Sequence, residues 1–195
     1  ATDEFTLTVV NTNDAPSVTS PIADSSTDED ALYSFDISSA ITDVDVGDTL
    51  TYAVSGSPSW MSMSSTGTLS GTPLNADVGS STITVSVTDA AGASASDTFV
   101  LTVANTNDAP TVVVSINDLT VNEDSSLSTV GVFTDEDVGD SLSYSMSGAP
   151  SGLSIDSATG TVSGTPVNGD VGTHSITVTA TDDGSPAMSV SDTFV

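Results

Sequence analysis

The chain repeats itself. DEFTLTVVNTNDAP (3–16) returns as DTFVLTVANTNDAP (97–110), and TDVDVGDTLTY (42–52) returns as TDEDVGDSLSY (134–144). GTLSGTPLNADVG (67–79) returns as GTVSGTPVNGDVG (160–172), and ITVSVTD (83–89) as ITVTATD (176–182). The order is the same in both copies and the spacing is nearly constant, so small insertions fall in loops. A chain built this way folds as one unit made more than once. The pattern divides it into residues 1–10, the last strand of a preceding repeat, residues 11–104, a full repeat, and residues 105–195, a second repeat with its last strand cut short. It is expected to be a piece of a longer array.

Each repeat reads as all-β. TLTYAVS (49–55) and STITVSVTD (81–89) alternate apolar with Ser and Thr, the period of a strand with one face buried. Clusters of Gly, Pro, Asn and Asp separate these runs, and no segment carries a helical period. About seven short strands per repeat predict a β-sandwich. There is no cysteine, so disulfides and thiolate metal sites are excluded. A small extracellular domain without disulfides commonly uses a metal as its staple. No apolar run is long enough to span a bilayer as a helix.

The chain has 27 acidic residues and no Lys or Arg, a formal charge of −27. Phosphate would be repelled everywhere, which argues against nucleic acid and anionic lipid as partners. The acids concentrate in the recurring turns: in the first copy Asp14, Asp28, Glu29, Asp30, Asp43, Asp45, Asp48, Asp77 and Asp89 all sit in repeated motifs. Unpaired carboxylates held this close repel one another, and a divalent cation relieves the repulsion. Calcium takes about six to eight oxygen ligands from carboxylates, amides, carbonyls and water, and the turns supply those groups. The alternative is acidic, solvated loops of a salt-tolerant protein. The DVDVGD and DEDVGD turns are not EF-hands, because the bidentate Glu at the end of such a loop and the flanking helices are missing.

The Asn-Asp linker before Ala-Pro, the Asp-x-Asp turns and the V-x-A-x-D-x-G-S-P run (Val178 to Pro186) resemble the calcium motifs of cadherin repeats. The SPSWMSMSSTGTLSGTP stretch with DVG after it resembles the dystroglycan-type cadherin-like domain of large bacterial surface proteins. The resemblance covers nearly the whole chain. It departs from animal cadherins in a linker one Asn shorter and in LNADVG or VNGDVG where cadherins have Asp-Arg-Glu. It implies two tandem Greek-key, cadherin-like (immunoglobulin-like) sandwiches with Ca2+ at the junctions. At 105–110 the implied ligands are Glu29 and Asp77 from the first repeat, Asn105, Asn107 and Asp108 from the linker, and Asp135, Asp137 and Asp182, with Asp140 by position, from the second. At 11–16 they are Asn11, Asn13, Asp14, Asp43, Asp45 and Asp89. It further implies a long extracellular, cell-surface adhesion protein in which calcium stiffens adjacent repeats. The alternatives are a carbohydrate-binding or homophilic module and a spacer attached to a secreted polysaccharide-degrading enzyme.

Other chemistry is sparse. His174 is the lone histidine and has no partners for a triad or zinc site. With only 5% aromatic residues there is no sign of a sugar cleft, and an enzyme is not expected. Trp60 either lids the core or stacks on a sugar. Phe5, Phe99 and Phe194 hold the same place in successive repeats and are expected in cores.

Overall fold

The computed structural model describes residues 2–45 and 47–195. Ala1 of the expected N-terminal strand and Val46 of the Asp43–Asp48 turn lie outside them. Among the described residues the chain is all-β apart from three single turns of 3-10 helix, and it divides into two compact units, 1–105 and 106–195.

Unit 1 is a sandwich of two main sheets. One orders β2 (Ser25–Asp28), β9 (Ser94–Ala104), β8 (Gly79–Thr88) and β5 (Thr51–Ser55). The other orders β3 (Tyr33–Asp36), β7 (Thr68–Gly71) and β6 (Ser62–Met63), and a short pair joins β1 (Ser17–Val18) to β4 (Ile41–Thr42). The long hairpin β8–β9 is antiparallel, while β2 runs parallel to the end of β9. Alternation places Ile83, Val85 and Val87 of β8 and Phe99 and Leu101 of β9 on one face. That face meets Tyr33 and Leu69 of the opposite sheet in one core. Trp60 packs on this core edge-on to Tyr33, ring centroids 6.2 Å apart. Its environment is the lid of a sandwich.

Unit 2 repeats the plan. One sheet orders β13 (Ser143–Ser147), β16 (Ile176–Thr181) and β17 (Ser189–Phe194). The other orders β11 (Leu127–Thr129), β15 (Val162–Gly164) and β14 (Leu153–Ile155), and β10 (Thr111–Val114) pairs with β12 (Val132–Thr134). Val162, Ile176, Val178, Ala180, Phe133 and Phe194 form the core. This core is poorer in aromatics. Leu127 and Gly152 stand where unit 1 has Tyr33 and Trp60.

Phe99 and Phe194 are buried as expected, but Phe5 is 89% exposed. Residues 2–10 form no strand, and Leu7, Val9 and Val10 are exposed with Phe5. The alternating pattern is there, yet a strand needs a neighbour to take its backbone hydrogen bonds, and none of the described residues supplies one.

Candidate metal centres

In unit 1 the acidic turn follows β4. The Asp45 N–H donates to Asp43 Oδ1 at 2.8 Å, and the Asp48 N–H donates back to the Asp45 carbonyl at 3.2 Å. Gly47, at φ +93°, supplies the left-handed step that closes this turn. The turn brings one carboxylate oxygen each of Asp43 and Asp48 together with one of Asp89, which leaves the end of β8, all within 4.8 Å of one another. Asp89 is buried and well supported. Its Oδ2 accepts from Asn13 Nδ2 at 2.9 Å and its Oδ1 from the Ala93 N–H at 2.8 Å. The Asn13 bond, with help from the backbone N–H groups of the 91–93 loop, holds its carboxyl below the usual carboxylate range.

Asp43 Oδ2 and Asp48 Oδ2 are different. Both atoms are enclosed and neither has a hydrogen-bond partner. Burial pushes the Asp48 carboxyl above its ordinary value, and repulsion from Asp43, Asp89 and Asp45 adds to the shift. Buried carboxylate oxygens are normally hydrogen-bonded or paired with a cation.

Unit 2 builds the same turn after β12. The Asp137 N–H donates to Asp135 Oδ1 at 3.1 Å and the Asp140 N–H to the Asp137 carbonyl at 3.3 Å. Asp135, Asp137 and Asp140 bring one carboxylate oxygen each within 4.8 Å of one another. Asp135 Oδ2 and Asp140 Oδ2, the counterparts of the two orphaned atoms of unit 1, are again enclosed without a partner. Burial raises the Asp140 carboxyl above its usual range, and Asp183, Asp137, Asp135 and Asp182 raise it further. The linker anchors beside this turn. The Asp108 N–H donates to Asp137 Oδ2 at 2.7 Å, and Asn107 Nδ2 donates to Asp182 Oδ2 at 3.3 Å and to the Pro186 carbonyl at 3.0 Å. Asp182 is held by the N–H groups of Gly184 and Met188.

The residues singled out from the sequence therefore separate into groups. Asp43 and Asp89 gather in unit 1, and Asp135 and Asp137 gather in unit 2. Asp45 stays outside the unit 1 triad. Its oxygens accept from Asn11 Nδ2 and from the Asp14 N–H, both at 2.7 Å. Asp182 serves as a brace for the linker Asn107. Glu29 lies at the other end of unit 1 from Asp89, since its N–H donates at 3.0 Å to the carbonyl of Ala104, the last residue of β9, while Asp89 stands beside the start of β9. Its side chain is 2% exposed. Asp77 closes a 3-10 turn by accepting the Leu74 N–H at 3.0 Å. Asn105 ends unit 1.

Asp48 was missing from the set that the resemblance implies. The signal was present: Asp48 and Asp140 occupy the same place after Gly in D-x-D-x-G-D, in both copies. With only oxygen donors and no His or Cys, the two triads suit a hard divalent cation.

Comparison with known proteins agrees with this architecture. The family He_PIG, described as "Putative Ig domain", matches residues 15–104 and again residues 109–195. The serine-rich adhesin for platelets of Staphylococcus aureus strain MRSA252 is 36% identical over 115 residues, which is 58% of this chain and 8% of the adhesin. The USA300 homologue matches equally over 5% of its length, so the chain spans a small fraction of these relatives. Among solved structures, Drosophila N-cadherin EC1-4 superposes with a TM-score of 0.61 at 20% identity, covering 93% of this chain and 49% of that one. Mouse cadherin-23 EC22-24 superposes with a TM-score of 0.59 at 20% identity, covering 92% and 63%.

Proposed function

This chain belongs to the He_PIG family of Ig domains, and from that premise we propose that it is a pair of calcium-stiffened repeats of an extracellular adhesion protein. The observation that carries the reading is the duplicated pair of enclosed, unpartnered carboxylate oxygens, Asp43 and Asp48 in unit 1 and Asp135 and Asp140 in unit 2. No Lys or Arg exists in the chain to neutralise them. Calcium would supply the missing positive charge. Asp43, Asp48 and Asp89 would hold it in unit 1, and Asp135, Asp137 and Asp140 in unit 2, with carbonyl and water oxygens completing about six to eight ligands.

The linker amides belong to the same reading. Asn13 and Asn107 orient Asp89 and Asp182, and Asp14 and Asp108 donate backbone N–H groups to Asp45 and Asp137. Binding at the turns would therefore order the linker residues Asn11 to Asp14 and Asn105 to Asp108. Glu29 and Asp77 are proposed to add ligands toward the linker that follows them, in the dystroglycan-type, cadherin-like manner. The adhesive, cell-surface setting is supported by the similarity to the staphylococcal adhesin. A sugar-stacking role for Trp60 loses support, because the ring packs on the unit 1 core.

Titration calorimetry of the chain with calcium, joined to small-angle scattering, tests this. Calcium is expected to bind at both units and to narrow the distribution of end-to-end distances. The Asp48→Asn, Asp140→Asn double variant is expected to lose the heat of binding. No measurable calcium binding to the wild type at millimolar concentration overturns the reading.

A further inference from the structure

Eight asparagines occur in the chain, and Asn168 alone is followed by glycine. The pair lies in the 3-10 turn Asn168–Asp170 of unit 2. Asp170 closes that turn onto Val167 twice: its N–H donates to the Val167 carbonyl at 2.8 Å, and its Oδ2 accepts from the Val167 N–H at 3.0 Å. The same carboxylate reaches the loop before β14, accepting from the Ser151 N–H at 3.2 Å, the Ser151 hydroxyl at 3.0 Å and the Gly152 N–H at 3.2 Å. Asn168 and Gly169 stand outside this network. Both are exposed, and neither the Asn168 carboxamide nor the Gly169 N–H has a hydrogen-bond partner among the described residues.

The backbone does not require a glycine here. The φ of Gly169 lies outside the left-handed range that favours glycine, and a Cβ built on it would meet nothing within 4 Å. Unit 1 makes the same turn with Ala76 in its place. There the Asp77 N–H donates to the Leu74 carbonyl at 2.7 Å and its carboxylate accepts from the Leu74 N–H at 3.0 Å, while Asn75 is half-buried. What glycine changes is access to its own backbone nitrogen, which no side chain of that residue shields.

We propose that Asn168–Gly169 is a site of spontaneous deamidation, a covalent modification that enters unit 2 with age and spares the equivalent Asn75–Ala76 of unit 1. The Gly169 nitrogen gives up its proton to hydroxide and bonds to Cγ of Asn168. The Cγ–Nδ2 bond breaks, and the side-chain nitrogen leaves as ammonia with a proton taken from water, which restores the hydroxide. The succinimide that remains takes up one water. Opening at the Cγ–N bond gives Asp. Opening at the main-chain carbonyl gives isoaspartate, in which the chain continues through the former side chain. The net change is amide plus water to carboxylic acid plus ammonia, with nothing oxidised or reduced. Either product adds a negative charge near Asp170 in a chain that already carries −27 and has no Lys or Arg. Isoaspartate also inserts a methylene between Val167 and Asp170, the two residues whose mutual hydrogen bonds close the turn. Asp170 then loses its hold on Val167, Ser151 and Gly152. The chemistry does not depend on the calcium reading.

Ageing the whole chain at mildly alkaline pH, with peptide mapping by mass spectrometry, tests this. The peptide containing Asn168 is expected to gain the mass difference of OH for NH2 at least several-fold faster than those containing Asn75, Asn13 or Asn107, and to split into Asp and isoaspartate forms. Gly169→Ala fills open space, so it is expected to melt like fresh wild type and to slow conversion at Asn168 to the rate of Asn75. Aged wild type is expected to develop a lower-melting unit 2 fraction that aged Gly169→Ala lacks. Asn168 left intact while a short peptide of residues 164–172 deamidates under the same conditions overturns the proposal. So does a Gly169→Ala variant that converts as fast as wild type, or Asn75 converting as fast as Asn168. A fully converted protein that melts like the fresh one overturns the loosening of the turn.

Discussion

Removing calcium should destabilise this chain by an amount the structure lets one work out, and one isosteric substitution in each acidic turn should remove most of that dependence. Each unit holds one turn with two orphaned carboxylate oxygens, so each is expected to bind at least one ion. Extracellular calcium modules have Kd values of about 10⁻⁴–10⁻³ M. At about 10 mM calcium and a Kd near 10⁻⁴ M, binding adds about 2.7 kcal/mol to the folded unit. A unit of about 90 residues unfolds with an entropy of about 0.19 kcal/mol/K, so its melting temperature should rise by about 14 °C. Asp48→Asn with Asp140→Asn keeps the shape and removes one negative charge from each turn. In calcium the variant should lose most of the shift. In EGTA it should melt above the wild type, because the carboxamide can donate to the neighbouring Asp43 or Asp135 oxygens and no longer repels them. Calorimetric melts of the two proteins with and without calcium give the four numbers needed. Superimposed wild-type curves in EGTA and calcium, or a variant less stable in both, would refute the reasoning.

The pH dependence follows from the same groups. Burial and neighbouring carboxylates raise the Asp48 and Asp140 carboxyls above the ordinary carboxylate range, so their contribution in EGTA is present below that range and is lost as pH rises through their folded values. Acidifying the metal-free wild type from neutrality toward that range should raise its melting temperature, an effect the double Asn variant should show less; equal slopes would dismiss the assignment. Asp170 behaves oppositely. The Val167 N–H bond and those from Ser151 and Gly152 hold its carboxyl low, so its contribution is lost as pH falls below the ordinary range. Asp170→Ala should lower the unit 2 melting temperature equally in calcium and EGTA, and a calcium-dependent loss would make it a ligand. Gly160, at φ +69°, has Tyr144 Cδ1 only 2.8 Å from where a Cβ would stand. Gly160→Ala should cost about 1–3 kcal/mol in denaturant melts, from the left-handed backbone and the displaced ring together, and a variant as stable as wild type would show that the ring moves freely. Magnesium, which insists on a tight octahedron and keeps its waters, should replace calcium poorly in the melts.

The sequence by itself determined the fold class and the duplication. Alternation in ITVSVTD and ITVTATD puts Ile83, Val85 and Val87, and Ile176, Val178 and Ala180, on buried faces, because side chains in a strand point alternately to either side. The turns were legible too: Gly, Asp and Asn recur at fixed places because few other residues accept those backbone angles. What a given carboxylate does was not legible, since that depends on which donors the fold brings to it. Asp77 and Asp170 sit in motifs as regular as Asp48 and Asp140, yet they accept backbone N–H groups while Oδ2 of each of the other two is enclosed without a hydrogen-bond partner. Asp45 and Asp137 are equivalent in sequence, but among the described residues only Asp137 joins a triad. The fate of an amphipathic strand was likewise undecided. DEFTLTVV and DTFVLTVA read alike, and Phe99 is buried while Phe5 is exposed, because the pattern selects a face but only a neighbouring strand creates the core that the face can enter.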